Sequence, residues 1–396
     1  MLTSKGTFTT SPRLRRRGLL LAPVLILAGV LSGCLSTPGD VSSITLIETR
    51  QEDGWTFDYY RNLAYPCAVS GYQTFVVGRR VGSDDNASRP LWVRMHGGGV
   101  GYFNPDGSVA GGVKNKSEEP YSRLRPDVTS TNLEGRVAGL SDGYRMLAVS
   151  MCSHDMYSGA NNVDPNNPNL TDGQTPKTNG MLATKAAIQF VMAQYPTDDF
   201  FLHGGSAGSA GSYSVAWGLQ EQGIEPTAFV ADAGVMNQSY ELEQMAMGSP
   251  CARTPEGAAI FQQRILPEIA DEANQPHLLI SDGRLQVPVM QVYSAGDTNT
   301  CAYLPMTCPL PDGTTPTLGS AVCAARPVRM AIQAQGPTSR SESLELCVDN
   351  PGLNSGTNVC DKHVATNSAL LNTAPGVPAD YNGVILDWVT DRRSDD

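Results

Sequence analysis

The chain has 396 residues, 40% of them hydrophobic and 17% charged, with 28 Lys and Arg against 39 Asp and Glu and a formal net charge of −11. That acidic balance, with no basic stripe, excludes a nucleic-acid-binding surface and repels strongly anionic polymers at long range. The length suits one large α/β domain with long loops, or two smaller ones, and no internal repeat or heptad pattern divides it.

The first segment is an address. Lys5, Arg13, Arg15, Arg16 and Arg17 precede the apolar run "GLLLAPVLILAGV", which ends in "LSGC" at Cys34. The run is too short to span a bilayer, which takes about 20 residues, and the order basic, apolar, small reads as a cleaved export signal over residues 1–33. "LSGC", with Leu31 and Gly33, resembles the bacterial lipoprotein box. That resemblance implies that Cys34 becomes the lipidated first residue of the mature chain, a membrane anchor at the outer membrane or cell surface. An ordinary signal with an incidental Cys is the alternative, and the arginine cluster leaves a twin-arginine route open beside the general one. Five of the 28 basic residues and none of the 39 acidic ones lie in the signal, so the mature chain carries a formal −16. Residues 34–43 read as the lipidated Cys and a polar tether, and 44–396 as a single catalytic domain.

Eight cysteines remain after Cys34: Cys67, Cys152, Cys251, Cys301, Cys308, Cys323, Cys347 and Cys360. An even number in an exported chain implies disulfides, and their pairing stays open. No paired C-x₂-C sets occur, so no metal is expected.

Along the chain, "ITLIET" (44–49), "WTFDYY" (55–60) and "YQTFVVG" (72–78) are strand-like and too close together for intervening helices, which predicts an antiparallel edge. From Leu91 the rhythm changes. "LWVRM", "RMLAVSM", "DFFLH", "TAFVAD" and "VPVMQVYS" alternate with stretches predicted as helices, notably 181–195 and 258–273. The Pro- and Asn-rich stretch 163–176 reads as a surface loop. Strand–helix alternation predicts a mainly parallel sheet with helices on both faces, an α/β fold of the α/β-hydrolase type once the motifs are added.

The first motif is "GGSAG" (204–208), between the strand "DFFLH" and a helical pattern beginning at Ser206. In G-x-S-x-G the Ser occupies a sharp strand-to-helix turn, and small residues two positions away on either side let the backbone make it. The second is "MHGGG" (95–99), directly after the strand "LWVRM". Glycines there let backbone N–H groups approach a substrate closely, as in the oxyanion loop of lipases and esterases. The expected oxyanion donors are the amide of Ala207 and one from Gly98 or Gly99. Taken singly, each stretch also reads as a close-packing turn. Their order, each behind its own strand, favours catalysis, and neither carries the G-K-[ST] ending of a phosphate loop.

The base follows by elimination among five histidines. His96, His154 and His203 precede Ser206, whereas the α/β-hydrolase order is Ser, acid, His. His277 precedes the better acid candidate, so His363 is the expected base. His96 is expected to orient the glycine loop and His203 to bond within the core. Two acids compete: Asp232 ends the strand "TAFVAD", and Asp297 follows "VPVMQVYS" across a turn. Asp297 is the expected triad acid, with Asp232 fixing loop geometry.

"SMCSHDMYSGA" (150–160), "NGMLATKAAIQFV" (179–191), "HGGSAGSAGSY" (203–213), "VADAGV" (230–235) and the Cys360-x-x-His363 pair together resemble the pectin acetylesterase and Notum-type carboxylesterases. The resemblance covers about residues 90–240 well and the His363 region more thinly, and it departs from the family at Val100, Gly101 and Val364. It implies an exported, disulfide-containing serine esterase that removes short acyl groups from polysaccharides or proteins, without a cofactor. Two other classes fit the same sequence: an amidase or peptidase using the same triad, and a binding module on a hydrolase fold that has lost activity.

Overall fold

The computed structural model describes residues 35–111, 116–129, 132–170, 173–236, 254–297, 305–347, 359–369 and 378–393. Its centre is a nine-stranded sheet. The strands are β1 (Ile44–Glu52), β2 (Trp55–Pro66), β3 (Tyr72–Arg80), β4 (Leu91–Met95), β5 (Arg145–Val149), β6 (Phe200–Gly205), β7 (Ala228–Asp232), β8 (Val289–Ser294) and β9 (Glu342–Leu346). In space their order is β1-β2-β3-β5-β4-β6-β7-β8-β9. The pairs β1/β2, β2/β3 and β3/β5 are antiparallel, and every later pair is parallel. This is a sheet of the α/β-hydrolase type with the expected antiparallel N-terminal edge.

Every residue of β4 to β8 is buried, because strands covered on both faces cannot alternate with polar residues. Successive side chains divide between two cores: Phe200 and Leu202 face one, Phe201 the other. The first core is closed by α2 (Gly180–Gln194), α3 (Ala207–Gln220) and α5 (Ser320–Gln335), the second by α1 (Asn132–Ala138) and α6 (Tyr381–Thr390). The outer strand β1 is largely exposed and carries Glu48, Arg50 and Glu52, charges that discourage further edge pairing.

Three expectations change. The helix predicted over 258–273 is broken: α4 (Pro255–Gln263) ends before Pro267, which lacks an N–H and starts a separate short helix, Pro267–Ala270, followed by a 3₁₀ turn at Glu272–Asn274. The edge strand β9, half polar along "ESLEL", was not foreseen. The stretch read as a polar tether is bound to the body of the fold at Leu35, Ser36, Gly39 and Asp40. The Leu35 carbonyl accepts from Lys185 Nζ at 2.9 Å, the Ser36 carbonyl accepts from Gln222 Nε2 at 2.9 Å, and the Asp40 amide donates to the Tyr65 hydroxyl at 2.6 Å. A side chain at Gly39 would meet the Ala186 backbone at 2.3 Å, so only glycine lets the segment lie this close to α2.

Cys67 pairs with Cys152, Cys308 with Cys323, and Cys347 with Cys360. Cys34, Cys251 and Cys301 lie outside the described residues. Among the described residues, no helix is long and apolar enough to cross a membrane.

Candidate active site

Ser206 stands between β6 and α3 with φ 55° and ψ −119°. A non-glycine residue there carries strain of about 1–3 kcal/mol, held only where the surroundings over-determine it. The surroundings do so here. A Cβ at Gly204 would lie 2.1 Å from the Gly208 carbonyl oxygen, one at Gly208 2.0 Å from the Met95 carbonyl oxygen, and one at Gly234 2.0 Å from the Ser206 carbonyl oxygen. The Ser206 amide is tied to the neighbouring strand end, donating to the Asp232 carbonyl oxygen at 2.8 Å.

His363 and Asp297 meet this serine in sequence. The Ser206 hydroxyl Oγ lies 2.8 Å from His363 Nε2, and His363 Nδ1 lies 2.6 Å from Asp297 Oδ2. Asp297 is buried, while the His363 side chain keeps 28% of its surface open. That exposure leaves room for a reacting group beside the Ser206 oxygen. Burial pulls the His363 pKa down, but the bond to Asp297, its charge and the more distant charge of Asp232 outweigh it, so the net direction is up.

The second acid candidate lies elsewhere. Asp232 Oδ2 accepts both the amide and the hydroxyl of Thr366, each at 2.7 Å. It is fully buried, and burial pushes its carboxyl up against the pull of those two bonds.

The glycine loop 97–99 lies beside the serine. A Cβ at Gly97 would approach Ser206 Cβ and the Gly205 carbonyl oxygen to 2.8 Å each. Gly97, which sequence reasoning passed over, therefore packs directly against the serine turn. Gly98 and Gly99 follow at once, half-buried, with Gly99 at φ 74°. The Ala207 amide is the first of α3 and so has no intrahelical acceptor. Beneath the loop, buried His96 places Nδ1 2.7 Å from the Gly97 carbonyl oxygen and 3.3 Å from Arg123 Nη2, and Nε2 2.9 Å from Glu119 Oε2. Burial and the charge of Arg123 oppose a charged ring, but Glu119 outweighs them, so the His96 pKa is raised, and His96 in turn lowers that of Glu119. Nothing in "KSEEPYS" singles out Glu119, since the contact is made across 23 residues by tertiary folding.

The other histidines serve the core. His203, whose pKa burial lowers, bonds Glu134 through Nδ1 and lies 3.0 Å from the Thr366 hydroxyl through Nε2. His154 is buried with both ring nitrogens unpartnered among the described residues. Burial, assisted by the charges of Arg264 and Lys116, brings its pKa down to about 3. His277 is also lowered by burial.

No family model and no curated protein matches the sequence. Solved structures do. A carboxyl esterase 2 from the mycorrhizal fungus Tuber melanosporum aligns over 88% of this chain and 89% of its own, at 12% identity and TM-score 0.47. One of two fungal esterases from Rhizomucor miehei aligns over 89% and 84%, at 12% identity and TM-score 0.42. Brefeldin A esterase, described as a bacterial homologue of human hormone-sensitive lipase, aligns over 80% and 73%, at 13% identity and TM-score 0.36. Likenesses this distant leave the chemistry to be read from the side chains themselves.

Proposed function

We propose that this chain is an exported serine carboxylesterase that cleaves ester-linked short acyl groups with Ser206 as nucleophile, His363 as general base and Asp297 as triad acid. The observation that carries it is the continuous hydrogen-bonded series Ser206–His363–Asp297 on a strained turn beside a glycine loop. Ser206 Oγ attacks the ester carbonyl carbon while its proton passes to His363 Nε2, and Asp297 holds the imidazole through Nδ1 and stabilises the imidazolium. The amides of Ala207 and of Gly98 or Gly99 receive the developing oxyanion, each such donor typically worth about 3 kcal/mol of barrier. Collapse expels the alcohol, which takes the proton from His363. Water then repeats the sequence on the acyl-enzyme and releases the acid. No cofactor is required.

An acylated polysaccharide as acyl donor rests on the resemblance to pectin acetylesterase-type enzymes, and a membrane lipid on Cys34 rests on "LSGC". The bound Leu35 supports an outward-facing site. It lies against Gly218, near the end of α3 remote from Ser206, and twelve helical residues rise about 18 Å. A fluorophosphonate probe tests the assignment: the wild type acquires one covalent adduct at Ser206, and Ser206→Ala acquires none and loses about six orders of magnitude in turnover on aryl esters. A wild type that takes no adduct overturns the esterase assignment, and rates on matched esters and amides distinguish an esterase from an amidase.

A further inference from the structure

His363 belongs to no helix or strand of the sheet. The described stretch 359–369 around it consists of two single 3₁₀ turns, Val359–Asp361 and Ala365–Asn367, so its position must come from side-chain bonds to the body of the fold. The Cys347–Cys360 disulfide fixes one end. On the other side of His363, the Tyr381 hydroxyl donates to the Ala365 carbonyl oxygen at 2.6 Å and Arg94 donates to Asn367 Oδ1 at 3.0 Å. The centre of this clamp is Thr366, three residues beyond His363. It is fully buried, and it gives its amide and its hydroxyl to one oxygen, Asp232 Oδ2.

Asp232 also accepts the Ser206 amide on its own carbonyl oxygen, at 2.8 Å. One residue at the end of β7 therefore holds the turn that presents the serine and the turn that presents the histidine. We propose that Asp232, acting through Thr366, is a positioning residue that sets the spacing between Ser206 and His363. It does not touch the reacting atoms, and His363 Nδ1 is held by Asp297 instead. The Thr366 hydroxyl is the specific link. Removing it leaves the backbone amide bond to Asp232, the bonds at Ala365 and Asn367 and the buried methyl in place, but takes away one of the two bonds from Thr366 to Asp232 and the contact with His203 Nε2, and so loosens the turn. Displacement of a reacting group by about 1 Å is enough to cost on the order of a hundredfold in rate.

This inference rests on the esterase assignment for its kinetic consequence, and the test separates the two. Thr366→Val keeps the side chain's shape without the hydroxyl, and Thr366→Ser keeps the hydroxyl. In Thr366→Val, kcat and the rate of fluorophosphonate labelling are expected to fall between about tenfold and a hundredfold, with KM and the melting temperature close to wild type. Thr366→Ser restores both rates. The second readout needs no activity: the downfield proton resonance of the His363 Nδ1–H bonded to Asp297 is expected to broaden or shift in the Val variant and to return in the Ser variant. An unchanged resonance and unchanged kcat in Thr366→Val overturn the positioning role, as does a Ser variant as impaired as the Val variant. If the wild type takes no label at all, the esterase assignment fails, while the positioning role still stands or falls on the resonance.

Discussion

Asp297 and His363 are separated by 66 residues in sequence and by 2.6 Å in space, whereas the carboxylate of Asp232, the other acid at the same sheet edge, is turned to Thr366. The two aspartates therefore predict different mutants. Asp297→Asn is expected to lower kcat by about 10⁴ while the protein stays folded, because the imidazole is left in the wrong tautomer. Asp232→Asn keeps an amide oxygen that can accept both donors of Thr366, and its loss is expected to be far smaller. Steady-state rates with melting temperatures as the folding control decide it. The reverse ranking would place the triad acid at Asp232.

The raised pKa of His363 has a pH consequence. The general base must be neutral, so kcat/KM is expected to rise with pH through a value above the ordinary 6.5 and to level off beyond it. Because the folded value is raised, the contribution of His363 to stability has the opposite sense: full below the unfolded value, and lost as pH rises through the folded one. A pH–rate profile whose acidic limb lies at or below 6.5 would contradict the Asp297 pairing.

Glu119 and His96 form a buried pair 2.9 Å apart. His96 is raised from 6.5, so its contribution is full below that value and lost as pH rises through its folded value. Glu119 is lowered from 4.5, so its contribution is full above that value and lost as pH falls through its folded value. The pair contributes fully between those limits. Glu119→Gln is expected to cost about 3 kcal/mol there, since it leaves a buried imidazolium without its counter-charge. Urea unfolding should show a difference between variant and wild type that is large at about pH 5.5 and shrinks as pH rises through the raised folded value of His96. A pH-independent difference would mean that His96 carries no charge.

On the proposal that Cys34 carries a lipid anchor, as "LSGC" implies, Cys34→Ser is expected to move the protein from the membrane pellet to the soluble fraction. Sedimentation of wild type and mutant after a high-salt wash measures it. A mutant that still pellets removes the lipoprotein assignment.

Local chemistry made much of this protein legible in one dimension. Alternating apolar runs specify strands and helices through their periods, so β1 to β8 and the helix 181–195 were marked by composition alone. The turn at Ser206 was legible because only small residues allow its backbone approach, as the contacts at Gly204 and Gly208 demonstrate. His363 was reached by counting five histidines against a chain order, and the preference for Asp297 came from its place after a later strand. Other features were invisible because they are made between distant segments. Glu119 meets His96, Thr366 meets Asp232, and Lys185 captures the Leu35 carbonyl, and none of these pairs leaves a periodic or compositional mark. The break at Pro267 was written in the chain and outweighed by the apolar pattern around it. Sequence thus determined which residue types were available at each strand end, while the folded sheet decided which of them lie within a hydrogen bond of each other. Bonding distance depends on how strands far apart in the chain are brought side by side, and local periodicity carries no record of that.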